Sequence, residues 1–548
     1  DDSVDLAFLS HVLEHARDLR VATREIARGV RPGGFVWVAV PRGVEPNRHD
    51  RVRFNDAREV VAAFGHAAPE VLHDGSTDRE VRVLLRLHKD GRCRPLRIVA
   101  FVPDALGVRA WCQSGLARML GERGHSLQLI GLDGDWDLPS LGPYVRVRSG
   151  IGLLGPRWRQ WLRRRLLRTA SYVARAACGE RTYAHKLAQR RPLRFQLEST
   201  ALRCLHRVVD VERLAALVER CLPADRHVKR ALGDLWPDVV AVHTSVYAGL
   251  EAEIVKVAMM ANIPVVAQVA SWDTLTSKGG FLVRPDHVAV WGEASAEHAI
   301  TRHGFPRELV HVVGPVHMND YGHDGTAASP IEGKWFDSAR LVFVVGTSIA
   351  YWQDELAMVR RLAAWKIKHP GVWIWYRPHP RRARAEAEAL KELAGVTIDR
   401  VPGLASAEHY RWVLERSVCV VAAFSTLVIE AALMGVPSLL VGYGASQGTS
   451  DEWGHRPAQG GLLDHAAFEH MAEVATWPGV TLCQSEADLL RHLDQHVRDV
   501  KQGAEWRRFT ARTLKNRASR VADCLDGGAR ERMCRLIERI GGGRGESV

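Results

Sequence analysis

The chain has 548 residues, more than one hydrophobic core usually serves, which excludes a single small domain and leads us to expect about two to four. Hydrophobic residues make up 46% and charged residues 25%, proportions that exclude a disordered, collagenous or disulfide-stapled chain. Lys plus Arg number 75 against 63 Asp plus Glu, and the net charge of +12 favours phosphate-bearing partners.

Strand and helix alternate from the start: an apolar run Val4 to Leu9, a helical pattern Ala16 to Val30, the break Arg31-Pro32-Gly33-Gly34 and a strand Phe35 to Val40. Strand-like stretches at Glu70-Val71-Leu72 and Val81 to Leu87 complete this unit, and Lys89-Asp90-Gly91-Arg92 reads as a linker. A new domain opens with strand Ile98 to Val102, the turn Pro103-Asp104-Ala105-Leu106-Gly107, a helix Ala110 to Gly124 and strand Leu127 to Leu132, the order a parallel strand pair requires. Residues 151–230 are helical and Arg-rich. Strands then recur at Val239 to Val242, Val265 to Val269 and Val288 to Val290, all expected in one parallel sheet. A second doubly wound set follows at Leu341 to Val345, Val372 to Tyr376, Val418 to Ala422 and Ser438 to Val441, and the stretch from about 500 to 540 reads as helix.

No apolar run reaches the roughly 18 residues of a membrane span. The nine cysteines are odd in number, scattered and without a CxxC pair, which points to reduced thiols, a cytoplasmic setting and no zinc site. The first residue is Asp1 and no leader pattern precedes the first strand, so the chain is expected to begin inside a domain.

His11-Val12-Leu13-Glu14-His15 has the H-x-x-E-H spacing of a zinc-binding helix, but its setting between a strand and Arg31-Pro32-Gly33-Gly34 argues against metal. That setting resembles the C-terminal half of a class I S-adenosylmethionine methyltransferase over residues 1–92. In that family the Gly-rich loop and the acidic residue that hold the cofactor lie upstream of this point. The resemblance therefore implies an incomplete domain that does not bind S-adenosylmethionine, with a bifunctional full-length form as the alternative.

Arg377-Pro378-His379-Pro380 ends an apolar strand, where a parallel sheet places its ligands, and the flanking prolines restrict the backbone around the imidazole. Ser425-Thr426 sits between a strand and a helix that carries Glu430 and ends at Gly435 and Pro437, with Ser425 the expected cap. Together these motifs resemble the nucleotide-binding half of GT-B glycosyltransferases, in particular transferases using CMP-activated sugars and CDP-glycerol glycerophosphotransferases. Ala270-Ser271-Trp272-Asp273-Thr274-Leu275-Thr276-Ser277-Lys278-Gly279 is similar to the S-W-D-N-L-T-x-K-G segment of capsule and surface-polysaccharide transferases, with Thr274 in place of Asn. His303-Gly304-Phe305-Pro306 and Val312-Val313-Gly314-Pro315 resemble the stretch that closes their first domain.

The resemblance implies an α/β fold of two Rossmann-like doubly wound domains preceded by a partial methyltransferase domain. The expected boundaries are 1–92, 95–325 for the acceptor domain with its helical insertion at 151–230, 326–500 for the donor domain and 501–548 for a helical tail. It implies donor-binding roles for Arg377, His379, Ser425, Thr426, Glu430, Lys278, Thr347 and Ser348, with Asp273 or Asp104 as the base. Each of these two aspartates could instead be a turn-former. The implied substrate is a CMP-, CDP- or UDP-linked sugar, with a surface-polysaccharide or lipid-linked glycan as acceptor and no metal or redox cofactor. The alternatives are a CDP-glycerol or CDP-ribitol phosphotransferase and a non-catalytic glycan-binding protein.

Asp133-Gly134-Asp135-Trp136-Asp137 contains a D-x-D, but positions six and twelve of a calcium loop would be Leu138 and Tyr144, and the run reads as a solvated loop. The six arginines from Arg157 to Arg168 are interleaved with Trp158 and Trp161, a pattern suited to an anionic membrane at the inner face of the plasma membrane or to a helix packing Trp161 into its own domain. No zinc finger or RNP motif accompanies the charge, so nucleic acid is not an expected partner.

Overall fold

The computed structural model describes residues 4–43, 52–64, 67, 69–87, 95–131, 141, 144–149, 157–189, 193–244, 249–322, 340–346, 352–379, 390, 393–399, 407–443, 462–502 and 504–542. Two compact units are present. One comprises Asp1–Ile98 with Glu122–Ser126 and Arg535–Val548; the other comprises Val99–Gly121 and Leu127–Cys534.

In the first unit, β1 (Val4–Ser10), β2 (Val30–Pro41), β3 (Pro69–Asp74) and β4 (Glu80–Leu87) form a sheet in the order β1-β2-β4-β3. β1 and β2 are parallel, and β4 runs antiparallel to both of its neighbours. Alternate residues Val36, Val38 and Val40 of β2 and Val81, Val83 and Leu85 of β4 point into one core with Leu13 and Phe64, the period-2 pattern of a sheet covered on one face. The strand of Phe35 to Val40 starts five residues earlier than the sequence suggests, because Val4 of β1 pairs with Val30 before Arg31-Pro32-Gly33-Gly34. The segment after β1 is not a regular α-helix. His11 lies in the left-handed region (φ 52°) and a short 3-10 turn spans Leu13–His15, so His11 and His15 do not share one α-helical face. His11 Nε2 instead meets Glu80 at 3.0 Å.

The second unit holds two parallel sheets. β5 (Arg97–Val102), β6 (Ser126–Gly131), β7 (Val145–Ser149), β8 (Val239–Thr244), β9 (Val265–Val269), β10 (His287–Val290) and β11 (Val310–Val312) are ordered β11-β10-β9-β8-β5-β6-β7. β12 (Arg340–Val345), β13 (Val372–Arg377), β14 (Val396–Ile398), β15 (Ser417–Ala422), β16 (Ser438–Val441) and β17 (Val480–Cys483) are ordered β14-β13-β12-β15-β16-β17. All five pairs in this sheet are parallel. The fold is therefore α/β with two doubly wound parallel sheets, as the resemblance implied. Their strands are near-continuous Val, Ile and Leu runs because helices cover both faces.

Each order reverses once, between β5 and β8 in the first sheet and between β12 and β15 in the second. At such a switch point the connecting helices depart to opposite faces and leave a crevice at the carboxyl ends of the strands. The helix expected at Ala110 to Gly124 is divided. A helical turn Ala105–Val108 widens into a π turn at Arg109–Gln113, Gly115 takes φ +83° and helix resumes at Leu116–Glu122. The Arg-rich insertion forms five further helices from Arg168 to Leu235.

Beyond the second sheet the chain returns to the first. Asp523 N donates to Trp291 O at 2.8 Å, and Arg530 N donates to Asn319 Oδ1 at 3.0 Å. Glycine is required where this returning segment passes. A Cβ on Gly314, at φ +86°, would lie 1.9 Å from Asp523 O. Gly124 has nearly the same backbone, φ +88°, with nothing within 4 Å of a built Cβ. Gly124→Ala should therefore cost only the left-handed backbone, about 1–3 kcal/mol. Gly314→Ala should cost clearly more, read as a larger drop in thermal midpoint.

Candidate functional site

Three neighbouring strands of the second sheet end at one level. Val345 of β12 is in register with Arg377 of β13 on one side and with Ala422 of β15 on the other. The three loops that follow carry Pro378-His379, Gly346 and Ser425-Thr426. β13 and β15 flank β12 and so lie about 10 Å apart, the width of two strand spacings.

Gly346 makes this edge possible. Its N–H donates to Arg377 O at 2.8 Å, and a Cβ there would lie 2.7 Å from His379 N and 2.9 Å from Glu355 Oε1. Arg377 is oriented by Tyr410: its Nε donates to the phenol oxygen at 2.7 Å and its guanidinium stands 5.3 Å from the ring centre. The Ser425 hydroxyl accepts from Leu427 N at 3.3 Å, but the cap of the helix Leu427–Leu433 is Thr426, one residue later than expected and without a side-chain capping bond. Thr426 Oγ1 lies 3.4 Å from Ser271 Oγ on the loop after β9, so the edges of the two sheets meet here. Thr347 and Ser348 fall outside the described residues, as do Asp133, Asp135 and Asp137.

The facing edge belongs to the first sheet. Asp104 and His243 flank its switch point, the one following β5 and the other within the last two residues of β8. Asp104 Oδ1 accepts from Gly107 N at 2.9 Å, so this aspartate does shape its turn. The same turn sits against His243, since a Cβ on Gly107 would lie 3.2 Å from Nδ1. His243 is 2% exposed and its Nδ1 has no hydrogen-bond partner among the described residues. Burial pushes its imidazole down to about 4 against the opposing charge of Asp104, so the ring is neutral at pH 7 and takes up a proton less readily than a free imidazole.

Asp273 lies two strands along, at the start of the short helix Thr274–Ser277. Its Oδ2 accepts from Ser277 Oγ at 2.7 Å. Burial would raise its pKa, but Lys278, His470 and the hydroxyls of Ser271 and Ser277 outweigh it and hold the carboxyl well below the usual range. A carboxylate so stabilised is a weak base. Lys278 itself is exposed.

His470, which sequence reasoning did not single out, lies in the connection between β16 and β17 of the second sheet. Its Nδ1 meets Thr276 Oγ1 at 3.0 Å, and Trp272 packs edge-on at 5.1 Å between centroids. Burial pushes its imidazole down to about 4. His465, stacked on Phe468 at 4.7 Å, is pushed down to about 3 by burial and then by the neighbouring His185, His470 and Lys186.

Glu430 corrects the sequence reading. Rather than facing an open donor site it is 1% exposed. Arg109 Nη1 and Nη2 donate to its two oxygens at 3.3 and 3.1 Å, and the Tyr321 hydroxyl donates to Oε2. Burial and then the charge of Glu430 push the Tyr321 phenol far above its ordinary value, so it remains a donor. Arg109 also lies 4.9 Å from the Tyr410 ring centre, on the tyrosine that orients Arg377. No motif marks Arg109, Tyr321, Tyr410 or His243, because each gains its meaning from partners distant in the chain, from 33 residues for Tyr410 and Arg377 to 321 for Arg109 and Glu430.

The Arg157 to Arg168 stretch is also corrected. Arg159 and Arg163 turn inward, and Arg163 Nε donates to Glu219 Oε2 at 2.7 Å. Trp161 is exposed rather than packed into its domain.

A family model described as a methyltransferase domain matches residues 1–38. No curated protein matches the chain. Similar solved structures include the S. aureus MnaA–UDP co-structure, at 11% identity over 81% of this chain and 96% of that one with a TM-score of 0.46. The UDP-GlcNAc 2-epimerase from Neisseria meningitidis bound to UDP-GlcNAc is similar at 10% identity over 78% and 98%, TM-score 0.44. A glycosyltransferase from Rickettsia africae is similar at 11% identity over 82% and 99%, TM-score 0.41. Likenesses this distant assign no reaction, and the chemistry below rests on the chain's own side chains.

Two measurements follow from the site. Glu430→Gln leaves a buried guanidinium without its counter-charge and should cost about 3–5 kcal/mol in denaturant unfolding, most of it recovered by adding Arg109→Met. The folded pKa values of His243, His465 and His470 lie below the ordinary 6.5, so the unfolded chain binds more protons between about 4 and 6.5. Their contribution to stability is complete above pH 6.5 and lost as pH falls towards 4. His465→Phe should flatten the fall in stability across that window by up to about 1.4 kcal/mol per pH unit.

Proposed function

We propose that residues 95–548 form a metal-independent glycosyltransferase that moves a sugar from a nucleotide-activated donor to a surface-polysaccharide or lipid-linked glycan acceptor. The observation that carries this reading is the pairing of two switch points: one edge carries Arg377, His379, Ser425 and Thr426, and the other carries Asp104 and the buried His243, whose Nδ1 has no hydrogen-bond partner among the described residues. On this reading residues 95–325 hold the acceptor, 326–500 hold the donor and 501–548 are the returning tail. Residues 1–92 are read as the C-terminal half of a methyltransferase domain.

A CMP-, CDP- or UDP-linked donor would place its phosphate over the end of β12, between Arg377-His379 and the Ser425-Thr426 hydroxyls, with Thr347 and Ser348 next in sequence. The acceptor hydroxyl loses its proton to His243, held by Asp104, as its oxygen attacks the anomeric carbon. The bond from that carbon to the phosphate oxygen breaks, and Arg377 and His379 stabilise the charge on the departing nucleotide. Asp273, with its depressed basicity, organises the Ser271–Lys278 loop rather than taking the proton.

Purified protein incubated with CMP-, CDP-, UDP- and GDP-linked sugars and with CDP-glycerol should bind one sugar donor in calorimetry and transfer it. Arg377→Ala and His379→Ala should each lower kcat by about 10²–10³-fold. His243→Ala should lower it by about 10²–10⁴-fold while donor affinity is unchanged. Polyol-phosphate transfer in place of sugar transfer, or donor affinity that neither Arg377→Ala nor His379→Ala weakens, would overturn the assignment.

A further inference from the structure

The helix Leu193–His206 in the insertion carries two apolar stripes rather than one. At 100° per residue, Phe195, Ser199 and Leu202 fall on one side and pack inward, with Phe195 and Leu202 joining the core of the insertion. Directly opposite lie Leu193 and Leu197, which are 72% and 63% exposed, followed past the helix end by Val208 at 84%. A globular helix needs one buried stripe, and the second has no partner among the described residues.

Charge accompanies this outer stripe. Arg194 lies on one shoulder and Arg203 and Arg207 on the other, all exposed. The acidic Glu198 beside them is neutralised by Arg165, whose Nη2 stands 3.0 Å from Glu198 Oε1. Arg165 also lies 5.8 Å from the ring of Trp161, which is exposed beside it. An apolar ridge with guanidinium shoulders and a neighbouring indole is the composition of a helix lying in a membrane interface: the ridge enters the acyl boundary, the arginines reach headgroup phosphates and the indole sits at their level.

We propose that this face docks the protein on an anionic lipid bilayer through the outer stripe of Leu193–His206 and the turn that follows. Basic shoulders on a single convex helix complement a negative leaflet and select it over an apolar protein groove. Of the Arg157–Arg168 run this surface takes in only Arg165 and Trp161 at its flank, since Arg159 and Arg163 are turned inward. It stands apart from the transferase reading, since lipid binding needs no donor or acceptor.

The test uses the full chain in flotation with phosphatidylcholine vesicles, with and without phosphatidylglycerol. Binding should require the anionic lipid and weaken with salt. Arg203→Gln with Arg207→Gln should reduce partitioning about 30-fold, taking roughly fivefold per arginine near the surface. Leu197→Asn with Val208→Ser should abolish flotation at unchanged melting temperature, because these side chains are exposed. Binding that neither double variant alters, or equal absence from both vesicle types, would overturn the proposal. So would a concentration-dependent dimer that Leu197→Asn with Val208→Ser dissolves while flotation persists, which would make the stripe a contact between two copies.

Discussion

The ion pair of Arg109 and Glu430 joins side chains 321 residues apart and is nearly sealed from water. Removing both charges from solvent is costly, and their attraction offsets this only with good geometry and satisfied residual atoms. Here the guanidinium is forked onto both carboxylate oxygens, Tyr321 donates to the carboxylate and Tyr410 lies against the guanidinium, while Arg109 Nε has no hydrogen-bond partner among the described residues. Arg109 follows β5 at the first switch point and Glu430 belongs to the helix Leu427–Leu433 at the second. A change in how the two edges meet must therefore break a buried charge pair. Because Tyr410 serves both Arg109 and Arg377, the same cluster sets the position of Arg377 at the end of β13.

The edges also differ in electrostatic character. The second presents a fixed guanidinium, an imidazole and two hydroxyls, which suit a stationary anion. The first presents groups with altered protonation: His243 is kept neutral by burial and Asp273 is kept ionised by Lys278, His470 and two hydroxyls. Both shifts lower basicity, the imidazole through burial and the carboxylate through its cation and hydroxyl neighbours. Two aspartates that look equivalent in sequence are separated by this physics, one beside a buried neutral imidazole and the other bound to the hydroxyl of Ser277.

The strands of both parallel sheets were readable because buried parallel strands are short apolar runs between breaks, and β9 and β16 match their expected limits. The weak edge strands β7, β11, β14 and β17 were not. Val145-Arg146-Val147-Arg148 carries exposed charges, and Val310–Val312 and Val396–Ile398 are too short to give a period. The division of the helix after Asp104 depended on a π turn and a left-handed glycine, for which an apolar repeat carries no signal.

By itself the sequence determined the class of the fold and the loops where chemistry would gather, since apolar runs ending in Asp, Arg-Pro-His or Ser-Thr follow from local backbone and solvation preferences. Only the tertiary structure decided which polar residues are free to act. Glu430 became a buried tie, Asp273 a loop anchor and Arg163 an inward ion pair, while His243 and His470 gained their settings. The reason is that burial and charge pairing depend on partners distant in the chain, and a pKa or an exposed face is a property of that assembly rather than of any local run of residues.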